Sequence, residues 1–260
     1  MSTWVLLRGL TRETRHWGRF PSILHDAVET DSLLQLDLPG NGALVDQRAP
    51  ADVASMVGFV RLALSQSSVP GPYRVLAMSL GGMVATAWAQ RYPGEIERLV
   101  LINTSMRPFS GITERLRPQA WLALLGAARN WRSGREAEAV IHRLTCNNPA
   151  GRADDLAAWS AIRASAPVSR ANALRQLWAA ARFNAGASVP HCATLILSSA
   201  ADRLVNPVCS ARLAAAWGAA HLQHPWAGHD LPHDDPQWTS NAVAAWLPRV
   251  DAPDAAGKML

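Results

Sequence analysis

Tyr73-Arg74-Val75-Leu76-Ala77-Met78-Ser79-Leu80-Gly81-Gly82-Met83-Val84 is the stretch that decides how the rest of the chain is read. Tyr73 to Ala77 is a short apolar run of strand character. From Leu80 to Arg91, apolar residues at Leu80, Met83, Val84 and Ala87 recur with helical spacing. Ser79 falls at the joint. A strand that turns at once into a helix needs small residues beside the turn, so that the side chain at the tip can stand clear of the sheet. Ala77 and Gly81 supply them. A serine here can also cap the free N–H groups of the helix. Its partners further along the chain decide between the two roles.

Upstream, Thr3 to Leu7 reads as a buried strand ending in Arg8-Gly9-Leu10, and Arg15 to Glu29 has helical spacing. Ser32 to Leu38 is a strand closed by the turn signal Pro39-Gly40-Asn41-Gly42, and Asp52 to Leu64 is a helix. Downstream, Arg98 to Asn103 and Thr194 to Ser198 are strands. Pro207 to Trp217 is a helix with proline in its first turn, His221 to Pro225 a last strand and Trp238 to Leu247 a last helix. Strand and helix alternate, which predicts an α/β fold with a mainly parallel sheet covered on both faces. Between about Met106 and Pro190 the alternation stops. Helical patterns at Trp121–Trp131, Glu136–Leu144 and Leu156–Ala164 stand there without a convincing strand. The expected organisation is a core of residues 1–106 and 191–250, an inserted helical cap at 107–190 and a loose tail at 251–260.

Composition narrows the class. The apolar share of 49% suffices for one sizeable core. No signal-peptide pattern is read at the N-terminus, and no apolar run approaches the roughly 20 residues of a membrane span. Cys146, Cys192 and Cys209 are scattered and odd in number, as in a reduced, cytoplasmic protein. The cations are nearly all arginine, Lys258 being the sole lysine. Residues 107–190 hold twelve arginines against five acidic residues, a net +7 where the whole chain has +5. A basic cap could dock an acidic carrier protein or steer an anionic acyl group; a solvated, arginine-biased surface is the plainer account. No recognition motif argues for nucleic acid.

Ser79 finds partners in order. Asp202 follows the strand Leu195–Ser198, and His229 lies in Trp226-Ala227-Gly228-His229-Asp230-Leu231-Pro232 after the last strand. Serine, acid and base in this order can form an activated nucleophile. The imidazole takes the hydroxyl proton, and the carboxylate orients and charge-stabilises the imidazole. The backbone N–H groups of Leu80 and Leu10 are the expected oxyanion donors, with Gly9 allowing close approach. A metal cluster of His221, His224, His229 and His233, with Asp230, Asp234 and Asp235, is the rival. His221 and His224 are three apart in a strand and so face opposite ways, and His229 already has a role. Neither a metal nor a phosphate-binding glycine loop is expected.

With these residues in place, the chain resembles the α/β-hydrolase superfamily along nearly its whole length. It is most similar to small cap-bearing esterases and to the pimeloyl-carrier-protein methyl ester carboxylesterase group. Leu36-Asp37-Leu38-Pro39-Gly40-Asn41-Gly42 resembles the family's Asp-x-Pro-Gly-x-Gly turn, and Ala201-Asp202 and Gly228-His229 its acid and base segments. Two positions depart from the pattern. Arg8-Gly9 stands where His-Gly is usual, so Arg8 buttresses the oxyanion loop differently or reaches an acidic group. Ala77 replaces the first small residue of the nucleophile motif. The resemblance implies a sheet of about six strands, trimmed at its N-terminal side, and a serine hydrolase of carboxylic esters that needs no cofactor. Thioesterase, lactonase and carbon–carbon bond hydrolase chemistry use the same triad and stay open, as does a ligand-binding protein on a hydrolase fold. Arg8, Leu10, Trp121, Leu125 and Trp159 are the expected pocket residues, with Leu122 and Trp178 as further cap candidates.

Overall fold

A computed structural model describes residues 3–30, 32–131 and 133–251. The expected tail begins at its last described residue, and 252–260 lie outside the description. Six strands form one sheet: β1 (Thr3–Leu7), β2 (Ser32–Leu36), β3 (Tyr73–Met78), β4 (Ile96–Ile102), β5 (Ala193–Ser199) and β6 (Ala220–His224). Their order is β2-β1-β3-β4-β5-β6, and every pairing is parallel.

The period-2 alternation of the strands divides the core in two. Val5, Leu7, Val75, Ala77, Leu99, Leu101 and Ile196 point to one face. There they meet α2 (Val53–Ser65), α3 (Leu80–Arg91) and α9 (Val208–Trp217). Trp4, Leu6, Leu76, Met78, Val100, Ile102, Leu195 and Leu197 point to the other, against α1 (Phe20–Val28) and α11 (Pro236–Asp251). With both faces covered, the strands read as near-continuous apolar runs, as buried parallel strands do.

One helix starts later than its apolar spacing predicts. The Arg15–Glu29 run is broken into a 3-10 turn at Thr14–Trp17 and α1. Gly18 takes φ +55°, and Pro21 fits only the first turn of a helix, so the new helix begins at Phe20.

Between β4 and β5 run α4 (Ile112–Arg115), α5 (Pro118–Arg129), α6 (Gly134–Thr145), α7 (Arg152–Ser165) and α8 (Arg170–Arg182). The first and last of these were not singled out in the sequence. The two ends of the segment meet, with the Ala185 N–H donating to the Arg107 carbonyl at 2.8 Å. The last two elements flank the final loop: α10 (Leu231–Asp234), then α11.

Candidate active site

Parallel strands bring their C-terminal ends to one edge of the sheet, where loops from neighbouring strands can meet. Ser79 follows β3, Gly9 and Leu10 follow β1, Asp202 follows β5, and His229 follows β6. The β1–β3 register places Leu7 beside Ala77, so Arg8-Gly9 runs past Met78-Ser79.

Ser79 has φ +52° and ψ −119°, a strained backbone for a residue with a side chain. Neighbours hold it there. Its N–H donates to the Ile102 carbonyl at 3.0 Å, and its carbonyl accepts from Thr104 Oγ1 at 2.8 Å. Glycines make the approach possible. A Cβ on Gly9 would sit 3.1 Å from Ser79 Cβ, and one on Gly81 would sit 2.6 Å from the carbonyl oxygens of Leu7 and Arg8. The N–H of Leu80, at the start of α3, has no acceptor within its own helix.

His229 Nδ1 lies 2.7 Å from Asp202 Oδ2, with both side chains buried. The other oxygen of Asp202 accepts from the N–H groups of Leu204 at 2.7 Å and Val205 at 2.9 Å, which fixes the carboxylate. Burial disfavours the charged imidazole. The Asp202 carboxylate, with Asp230 behind it, outweighs burial and holds His229 above its ordinary value.

Arg8 does reach an acidic group. Its guanidinium donates to both oxygens of Asp230 at 3.0 and 2.6 Å, and to Met78 Sδ at 3.1 Å. It also lies over the Trp17 ring at 4.6 Å. Burial would raise the Asp230 carboxyl, but the Arg8 charge holds it below the usual carboxylate range. One buried ion pair thus ties the loop after β1 to the residue following His229, across the strand end that carries Ser79.

Asn103, expected as the last residue of a strand, lies just beyond β4. It has φ +46°. Its Nδ2 donates to the His229 carbonyl at 2.8 Å and to Ser199 Oγ at 3.0 Å, while its Oδ1 accepts from the Ser199 N–H at 2.9 Å. A polar residue in a tight turn directly after a strand was the available signal. Asp234 is a second missed residue. It accepts from the N–H groups of Gly228 at 2.6 Å, Asn147 at 2.9 Å and Asn148 at 3.0 Å, joining the base loop to the segment after α6.

Ser79 and His229 open on one cavity of about 260 Å³. Arg8 and Leu10 lie in its wall. The remaining wall is mostly apolar: Leu124, Ala127 and Trp131 from the α5 side, Ile141 and Leu144 from α6, and Leu174 and Leu177 from α8. The other expected lining residues lie elsewhere. Trp121 and Leu125 are 43% and 60% exposed on the outward side of α5, because the small residues Ala120 and Ala127 take the buried side. Leu122 and Trp178 are exposed as well. Trp159 is buried among the rings of His16, His142 and His233, with the Arg12 guanidinium 4.4 Å above it.

The histidines weighed for a metal in sequence have separate partners. His221 Nε2 is 2.9 Å from Ser198 Oγ, and His224 Nε2 is 3.2 Å from Asp235 Oδ2. His233, weighed with them, converges instead with two residues of the inserted segment: donor atoms of His142, Cys146 and His233 lie within 4.8 Å of one another.

A six-stranded parallel sheet between helices, with Ser79, Asp202 and His229 at its carboxyl edge, defines an α/β-hydrolase fold. The chain belongs to the family described as Serine aminopeptidase, S33, which residues 45–234 match. Among curated relatives, it is 31% identical over 97 residues to the pimeloyl-[acyl-carrier protein] methyl ester esterase of Chromobacterium violaceum, a match spanning 35% of this chain and 34% of that one. The match to the bifunctional biotin biosynthesis protein BioHC of Teredinibacter turnerae is 32% identical over 105 residues, which is 40% of this chain and 17% of that protein. The matched stretch thus spans 34% and 17% of these two relatives. Among solved structures, the enol-lactonase of Burkholderia xenovorans LB400 superposes with a TM-score of 0.75 at 20% identity, covering 95% of this chain and 91% of that one. Among the described residues, no helix is long and apolar enough to cross a membrane.

Proposed function

We propose that this α/β-hydrolase is a serine hydrolase that cleaves carboxylic esters of apolar acyl groups through an acyl-enzyme. The observation that carries the reading is the buried 2.7 Å contact between His229 and Asp202, on the same cavity as the strained Ser79. Ser79 Oγ attacks the ester carbonyl as His229 Nε2 takes its proton. The N–H groups of Leu10 and Leu80 receive the oxyanion. Collapse expels the alkoxide, which takes the proton from His229. Water, deprotonated by His229, then releases the acid and restores Ser79. Asp202 stays ionised and holds the imidazole. The three unbridged cysteines suit a reducing, cytoplasmic setting.

A fluorophosphonate probe followed by peptide mapping tests the site. We expect one adduct, on Ser79, and none on Ser79→Ala. Folded native protein that takes no adduct would overturn the reading. A panel of esters, thioesters, lactones and carbamates then ranks the scissile bond, and faster turnover of another class would replace carboxylic esters as the substrate.

A second reading concerns what carries the acyl group. α5 and α8 contain no acidic residue and bear Arg129, Arg170, Arg175 and Arg182, with Arg170 on the cavity wall. A basic mouth of this kind fits an acidic carrier protein. Hydrolysis of a carrier-bound ester should then weaken steeply with added salt while that of a small neutral ester does not. An equal response of both rejects the carrier.

A further inference from the structure

We infer that His142, Cys146 and His233 form a binding site for a transition-metal ion of the zinc type, which pins the helices inserted after β4 to the loop carrying His229. His142 lies in the last turn of α6, and Cys146 follows that helix directly, four residues on. This spacing puts both side chains on one face. His233 lies in α10, four residues beyond His229. The three donor atoms are within 4.8 Å of one another. In a tetrahedral site with ordinary Zn–N and Zn–S bonds, neighbouring ligand atoms are about 3.5 Å apart, so a modest inward turn of the side chains completes the set.

A carboxylate adjoins the two imidazoles, outside the trio that lies within 4.8 Å. Asp155, in the first turn of α7, sets Oδ2 at 3.1 Å from the Nε2 atoms of both His142 and His233. Two imidazoles that meet one carboxylate oxygen, beside a thiol, form a mixed nitrogen, sulfur and oxygen set that suits zinc or cobalt rather than calcium or magnesium. The His142 and Cys146 side is buried, while the His233 and Asp155 side chains keep 18% and 22% of their surface exposed. A hydrated ion therefore has an entry. The C-terminal end of α6, the negative end of its dipole, favours a cation there. The Trp159 ring, 5.2 Å from the imidazoles of both His142 and His233, limits how the rings can turn.

The ion would be structural. Ser79 lies outside the donor set, and the reaction proposed above has no step at these residues. The span of the site gives it a purpose. The Asp230 N–H already donates to the Thr145 carbonyl at 2.8 Å, so the end of α6 and the base loop touch beside the metal ligands. Bridging the two would fix the cavity wall against the base.

Cobalt(II) is the probe, because a thiolate ligand gives it a charge-transfer absorption that oxygen and nitrogen ligands alone do not. We expect this band to saturate at one equivalent in the full-length protein. It should vanish in Cys146→Ser, persist in Cys192→Ser, and need at least about tenfold more cobalt in His142→Ala and in His233→Ala. Zinc should raise the unfolding temperature of the native protein and chelator should reverse the rise. X-ray absorption at the zinc edge of that protein gives a readout free of any variant, with sulfur and imidazole scatterers expected. No thiolate band with cobalt, or a band equally strong in His233→Ala, would overturn the site and leave a hydrogen-bonded His142–Asp155–His233 network.

Discussion

At the scale of single residues, the site depends on two charges that burial would otherwise suppress. In the proposed reaction His229 must be neutral to accept the Ser79 proton, yet its surroundings favour the charged form. The acidic limb of kcat/KM should therefore have a midpoint above the ordinary 6.5, readable in a pH–rate profile on a small neutral ester. Asp202→Asn should lower that midpoint and reduce kcat by about 10⁴. Stability runs the other way. A pKa raised in the folded state stabilises fully below the unfolded value and is lost as pH rises through the folded one. Unfolding temperature should thus fall over the range in which activity appears. Arg8 and Asp230 are the second case. Arg8→Ala strands a buried carboxylate and should remove about 3–5 kcal/mol in denaturant unfolding, whereas Arg8→Met with Asp230→Leu should recover most of it. Ser79, Asp202 and His229 were legible as residues because each follows a strand in a short loop of recognisable type. The Arg8–Asp230 pair was not, since 222 positions separate its members and nothing local to either fixes the other.

Elements were legible where local chemistry marks their ends. Asp52 caps α2 by accepting from the Ser55 N–H at 2.7 Å, and Pro39-Gly40 closes the segment after β2. What local pattern could not give is how tightly elements press together. Gly81 is the sharpest instance, because the carbonyls of Leu7 and Arg8 stand where its Cβ would be. Backbone cannot yield as a side chain can, so Gly81→Ala must push α3 away from the end of β1. We expect a stability loss of about 1–3 kcal/mol, with kcat reduced and KM nearly unchanged, because the strain falls on Ser79 and its oxyanion donors. Asn103 joins β4 to the base loop by side-chain bonds alone. Asn103→Ala leaves buried partners unsatisfied and should lower both stability, by about 1–3 kcal/mol, and kcat.

Over the whole molecule, the inserted helices are held to the core by polar contacts as well as by the apolar packing of Ala179 and Ala185. Asp234 gathers three N–H groups from both sides of that junction. Asp234→Ala should speed amide hydrogen exchange in α6 and the segment after it, leaving the strands as protected as before. Local pattern also could not orient the helices of the cavity wall. In α5 both faces are apolar, so periodicity could not orient it. The bulky Trp121 and Leu125 face outward while small alanines turn inward. Trp159 stands out by size, but its ring partners come from three separate stretches of the chain, and only their assembly shows that it serves packing.

The outward apolar residues have a practical consequence. Leu122, Leu125, Leu174, Leu177 and Trp178 stand uncovered on the helices that form the cavity mouth. Surfactant and plastic offer such a surface what water does not. Dilute preparations will lose protein to vessel walls, and a nonionic detergent that prevents the loss will itself occupy the entrance. Rates measured with detergent should therefore show competition with short esters that vanishes on dilution below micelle formation.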